Sequence, residues 1–104
     1  MRLAAALERK TEYDRRRYVR VPVRVGAGLT DNARPASPIT VVDLSCGGCG
    51  IESDLELAVG SRVWLKLPGL ESWPCLVTWS DGPRAGLAFD RPFHPAVLER
   101  FTGG

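Results

Sequence analysis

The sequence holds too little of several residue types to support whole classes of chemistry. Its 104 residues include one histidine and three cysteines. An odd cysteine count cannot close into a complete disulfide framework. A reducing compartment is the simpler setting, so a cytoplasmic location is expected. The lone histidine, His94, has no Ser–His–Asp pattern around it, and no two carboxylates stand in an acid–base frame. No enzymatic activity is therefore expected. Long apolar runs are also missing. The opening Met1-Arg2-Leu3-Ala4-Ala5-Ala6-Leu7 carries a five-residue apolar run that stops at Glu8-Arg9-Lys10, too short for a signal-peptide core. Nothing approaches the ~20 apolar residues of a membrane-spanning helix. No internal repeat or low-complexity tract is visible.

Charge is present but unevenly placed. Residues 1–24 hold eight Arg/Lys against three Asp/Glu, and the remaining 80 hold six against nine. The positive field is thus local and favours an anionic partner near the N-terminus. The length allows one domain, with ~65% of the unfolded chain's surface buried on folding. Eleven glycines and eight prolines announce many turns.

Periodicity supplies the fold class. Residues 2–12 can form a short helix, with Leu3 and Leu7 one turn apart. From Tyr18 the period changes to two: Val19, Val21, Val23 and Val25 alternate with polar partners and read as a first strand. Pro22 marks that strand as an edge or bulged one. Residues 30–38 read as a polar loop. Further strands are expected at Ile39–Leu44, Gly50–Ser53, Arg62–Leu67, Cys75–Ser80 and Ala85–Phe89, with turns at Ser45–Gly48, Gly60-Ser61, Pro68-Gly69 and Asp81-Gly82. In the fifth strand, Val77 and Trp79 are expected to share a face. A last helical turn or two falls at Ala96–Phe101. Six short strands with helical pieces only at the ends predict an all-β barrel or sandwich.

Two segments carry functional chemistry. In Arg15-Arg16-Arg17-Tyr18-Val19-Arg20, Arg16 and Arg20 stand four apart, ~13 Å in an extended segment at ~3.3 Å per residue. A bend there lets both guanidiniums converge on one anion or base. Each can grip a phosphate or a guanine O6/N7 edge with paired hydrogen bonds. In Asp43-Leu44-Ser45-Cys46-Gly47-Gly48, an ionised Asp43 matches the N1–H and N2–H₂ donors of guanine. Ser45 adds a hydroxyl, and Gly47 and Gly48 permit positive φ and close approach of backbone N–H groups to an anion. Each segment alone is better read as structure: a solvated basic patch and a hairpin turn.

Together the two segments resemble the PilZ domain family, whose members carry RxxxR before the first strand and (D/N)xSxxG between the second and third. Here these are Arg16…Arg20 and Asp43-Leu44-Ser45-Cys46-Gly47-Gly48. Val77-Thr78-Trp79-Ser80 followed by Gly86-Leu87-Ala88-Phe89 is similar to the family's closing hairpin. The resemblance implies a six-stranded antiparallel split barrel over residues 14–104, preceded by a helical or flexible segment over 1–13. It also implies binding of cyclic di-GMP, with Arg15, Arg16, Arg20, Asp43, Ser45, Gly47 and Gly48 as site residues. Arg15, just before the motif, goes in the family with binding of a stacked ligand dimer. No cofactor or membrane is implied, and the output is expected to pass to a separate protein partner. Two rival readings are an adaptor that no longer binds nucleotide and a small barrel that binds single-stranded nucleic acid. The intact motifs argue against the first. Tyr18 as the only aromatic among the arginines argues against the second.

Other features are read as structural. Cys46 and Cys49 form a C-x₂-C, but Cys75 and His94 lack the local spacing that would complete a zinc site. His94 is expected at a helix N-terminus. Trp64, Trp73 and Trp79 are expected in the core or at the barrel rim, with Trp73, beside Pro74, the most exposed.

Overall fold

The structure, a computed structural model, describes residues 19–31 and 35–103. The helix expected over 2–12 lies outside these residues, as do Arg15 and Arg16. Six strands form: β1 Val21–Thr30, β2 Ser37–Leu44, β3 Gly48–Glu52, β4 Arg62–Lys66, β5 Trp73–Asp81 and β6 Arg84–Phe89. One helix follows, α1 Pro95–Thr102. The strands close into a barrel in the order β1-β2-β3-β6-β5-β4, every pairing antiparallel. Closure leaves no free sheet edge. The expected six-stranded barrel is therefore the observed fold.

Alternation builds the core. Val41, Leu44, Ile51, Leu65, Val77 and Leu87 point inward and are buried, each contributing about 1.5–3 kcal/mol by leaving water. Phe93, just past β6, closes one end against Trp73 and Phe89, at ring distances of 4.9 and 4.5 Å. Val97, Leu98 and Phe101 of α1 pack onto the same cluster. His94 is the N-cap of α1, its Nδ1 accepting the Ala96 N–H at 3.0 Å. Gly103 ends the helix in the left-handed region, where a side chain would be strained.

Several boundaries differ from expectation. β1 runs to Thr30 because Gly26 and Gly28 stay in the ladder, Gly28 pairing with Pro38 on one side and Lys66 on the other. Polar composition concealed the start of β2 at Ser37. β3 begins at Gly48, inside the expected turn. The β5–β6 hairpin turns on Gly82-Pro83, with Asp81 and Arg84 paired across it and Gly82 at φ 59°. That is the positive φ a two-residue hairpin requires. Pro22 does mark a bulge: the β1–β2 register shifts between Pro22 and Val25.

Candidate functional site

Two bulges decide which side chains face outward beside the motif turn. On β2, Val41 pairs with Ile51 and Asp43 with Gly50, so two residues of β2 span one of β3. On β5, Val77 pairs with Leu87 and Trp79 with Gly86, again two against one. Each bulge reverses the alternation beyond it. Val77 stays buried while Trp79 is 43% exposed, which corrects the expectation that they share a face. It also corrects the expected exposure of Trp73. That side chain is half-buried, donates its indole N–H to Arg91 O at 2.8 Å, and lies under the Arg91 guanidinium.

The bulges bring Asp43 and Trp79 into one outward row across four neighbouring strands: Asp43, Gly50, Gly86, Trp79. The two glycines are what make this row flat. A Cβ on Gly50 would lie 2.5 Å from Asp43 Oδ2, and a Cβ on Gly86 would lie 2.1 Å from Trp79 Nε1. The carboxylate and the indole therefore lie down over the glycines, on strands roughly 5 Å apart. The result is a low platform with an anionic edge and an aromatic plane. Gly50, Gly86 and Trp79 were not foreseen as site residues. An isolated glycine within a strand pattern is the signal that marked the first two, since it implies close approach from above.

Asp43 is held in place. Its Oδ1 accepts the Gly50 N–H at 2.9 Å and Arg20 Nη1 at 2.6 Å. Arg20, just before β1 and half-exposed, is thus the motif arginine that the structure brings against the turn.

The turn itself is closed on itself. Ser45 is 3% exposed. Its Oγ accepts the N–H groups of Gly47 and Gly48 at 3.2 and 3.1 Å and donates to Gly48 O at 3.2 Å. The glycine N–H groups expected to meet an anion thus meet Ser45. Neither glycine has positive φ. Gly48 is needed for proximity instead, since a Cβ there would stand 2.3 Å from Leu87 O. The carbonyls of Cys46 and Gly47 accept from Phe93 N and Phe89 N at 2.7 and 2.9 Å, tying the turn to β6 and the segment that leads into α1.

The three thiols face the interior. Burial pushes the Cys75 thiol up to about 12. Cys49 is raised further, by burial first and then by the charges of Cys75 and Asp43. These are poor nucleophiles and poor ligands at neutral pH. His94 lies exposed on the helix cap, and among the described residues no group of three His, Cys, Asp or Glu is placed to hold a metal ion. Two open hollows, of about 410 and 350 Å³, lie toward the opposite barrel end around Glu52–Leu57 and Pro83. Asp54 lines both, with Glu56 in the first and Glu52 in the second.

The molecule is a small closed antiparallel barrel with a cation–carboxylate pair and an indole on its outer wall. The sequence matches the family model of the PilZ domain over residues 14–102, and the chain belongs to that family. PilZ domains are regulatory receptor or adaptor domains rather than catalysts. Among solved structures, the chain is similar to the PilZ domain of CeSA from a cellulose-synthesizing bacterium. The identity is 16% and the TM-score 0.63, covering 82% of this chain and 96% of that one. It is also similar to the Bacillus subtilis inhibitor of motility MotI/DgrA, at 17% identity and TM-score 0.59, covering 86% of this chain and 48% of that one. Comparison with curated proteins finds no match. Among the described residues no helix is long and apolar enough to cross a membrane.

Proposed function

We propose that this barrel is a receptor for cyclic di-GMP, acting in the cytoplasm and relaying ligand binding to a protein partner. The observation that carries the reading is the outward turn of Asp43 onto Gly50 with Arg20 against it. A carboxylate fixed in that orientation can accept the N1–H and N2–H₂ of a guanine. The Trp79 plane beside it suits stacking of a base. Arg20 can exchange its contact with Asp43 for a ligand phosphate, and Arg15 and Arg16 would supply the remaining guanidiniums. Ser45, Gly47 and Gly48 serve this site by holding the turn that aims Asp43. With Arg15 adding a third cation, the bound form is a stacked ligand dimer. Relay runs from the turn through Phe89 and Phe93 toward α1.

Calorimetric titration tests the reading. Cyclic di-GMP should bind with about two equivalents per chain, while GMP and a short oligonucleotide should not compete. Arg15→Leu should lower the plateau toward one. Absence of binding by the unaltered protein would leave the adaptor reading in its place, and tighter binding of the oligonucleotide would favour the nucleic-acid reading.

A further inference from the structure

Three charged side chains on the outer wall are not used by the site described above. Glu52 ends β3 and lies two residues beyond Gly50, and Arg84 begins β6 two residues before Gly86. Glu52 and Arg84 are register partners, as are Gly50 and Gly86. The pair thus forms the next outward row, about 7 Å below the glycines at ~3.3 Å per residue. Arg24 reaches the same carboxylate from β1. Its Nη1 lies 3.4 Å from Glu52 Oε1, while Arg84 Nη2 lies 3.2 Å from Oε2.

Two guanidiniums therefore share one carboxylate, one on each oxygen. Each approaches through a single nitrogen, and the two side chains are 71% and 61% exposed. A bidentate guanidinium–carboxylate pair would occupy both nitrogens of one fork. Here each guanidinium keeps donors turned to solvent while its position is set by Glu52. Asp81, the register partner of Arg84 on β5, adds a second anionic neighbour. The arrangement holds two cations at the foot of the platform, on the side away from the motif turn.

We propose that Arg24 and Arg84 form a second phosphate-binding subsite, with Glu52 as the internal anion that a ligand phosphate displaces. The inference rests on the receptor reading and adds to it. A guanine held at Asp43 and Trp79 places one phosphodiester of a cyclic dinucleotide toward Arg20. The other phosphodiester, or that of a second stacked molecule, lies toward Arg24 and Arg84. Glu52 then competes with the ligand, so the two kinds of residue in one cluster act on affinity in opposite directions.

That opposition is the test. Cyclic di-GMP affinity is measured by calorimetry for the unaltered protein and for Arg84→Gln, Arg24→Gln and Glu52→Gln, at several salt concentrations. Thermal melts of each variant check folding. Arg84→Gln and Arg24→Gln should each weaken binding roughly tenfold, as loss of a charge-assisted contact does, and flatten its dependence on salt. Glu52→Gln should leave binding unchanged or tighten it severalfold. If all three variants weaken binding together, or the arginine variants bind like the unaltered protein, the cluster is a structural ion network and the inference fails while the receptor reading stands. If the unaltered protein does not bind cyclic di-GMP, the receptor reading fails and this subsite falls with it.

Discussion

The motif turn and the platform beside it come from neighbouring residues but obey different physics. Ser45 is sealed inside the barrel wall, with both lone-pair and donor functions spent on Gly47 and Gly48. Asp43, two residues earlier, faces solvent with a half-exposed arginine on it. One stretch of sequence therefore contains a part that builds and a part that is proposed to bind. A bulge of one residue in β2, between Val41 and Asp43, turns the carboxylate outward. The same device recurs in β5, where it separates buried Val77 from exposed Trp79. Side by side, the two show that Ser45, Gly47 and Gly48 spend their polar groups inside the turn, while Asp43 at its edge keeps its carboxylate outside.

Breaking the building half should produce the largest effects, and on stability. Gly48→Ala forces a methyl against the Leu87 carbonyl, a backbone atom that cannot swing away, and should cost about 2–3 kcal/mol, the upper part of the range for overpacking. Ser45→Ala leaves the buried Gly48 N–H and the half-buried Gly47 N–H without their acceptor and should cost about 1–2 kcal/mol. Urea denaturation of both variants measures this. Equal stability of Gly48→Ala and the unaltered protein would mean that β3 and β6 are not as close as described.

Breaking the binding half should do the reverse. Asp43→Ala should weaken cyclic di-GMP binding by about 1.5–3 kcal/mol, the range for a hydrogen bond to a charged group, with the barrel intact by circular dichroism. Gly50→Ala is the sharper variant. Its methyl meets the end of the Asp43 side chain rather than backbone, so it should displace the carboxylate and reduce affinity with little loss of stability. Unfolding of Asp43→Ala would assign that residue to the building half.

Titration of the interior thiols should leave stability at neutral pH untouched and act only at high pH. Folding raises the Cys75 pKa from 9.0 to about 12, so the folded state holds a proton that the unfolded state releases. The stability it contributes is complete below 9.0 and declines as pH rises toward about 12. Cys49 shifts in the same direction for the same reason. Denaturant midpoints measured across that window should fall. Substituting Cys75 by alanine should lower stability at neutral pH through lost packing while making the decline shallower.

Much of this was legible in the residues. Strand count and the β5–β6 hairpin follow from period-two alternation and turn chemistry, the choice of barrel over sandwich came from the resemblance to PilZ domains, and Pro22 announced its bulge. The outward row did not follow, because alternation carried past Val41 and Val77 puts Asp43 and Trp79 inside. A bulge is set by how two strands fit, a property of the pair rather than of either strand. Gly50 and Gly86 held the missing information, but a glycine in a strand says that something comes close without saying what. His94 was placed correctly at a helix start, and the ring nitrogen that caps it became visible only in three dimensions.

Bound cyclic di-GMP is proposed to lie on the outer wall over Gly50 and Gly86. Amide and indole resonances followed during titration with cyclic di-GMP test this most directly. The backbone N–H signals of Gly50 and Gly86 and the Trp79 indole N–H should shift together and saturate together, with Ser53–Leu57 unmoved. Shifts concentrated at Ser53–Leu57 and Gly82, with Gly50, Gly86 and Trp79 unchanged, would place the ligand in the acidic hollow at the other end and contradict the account.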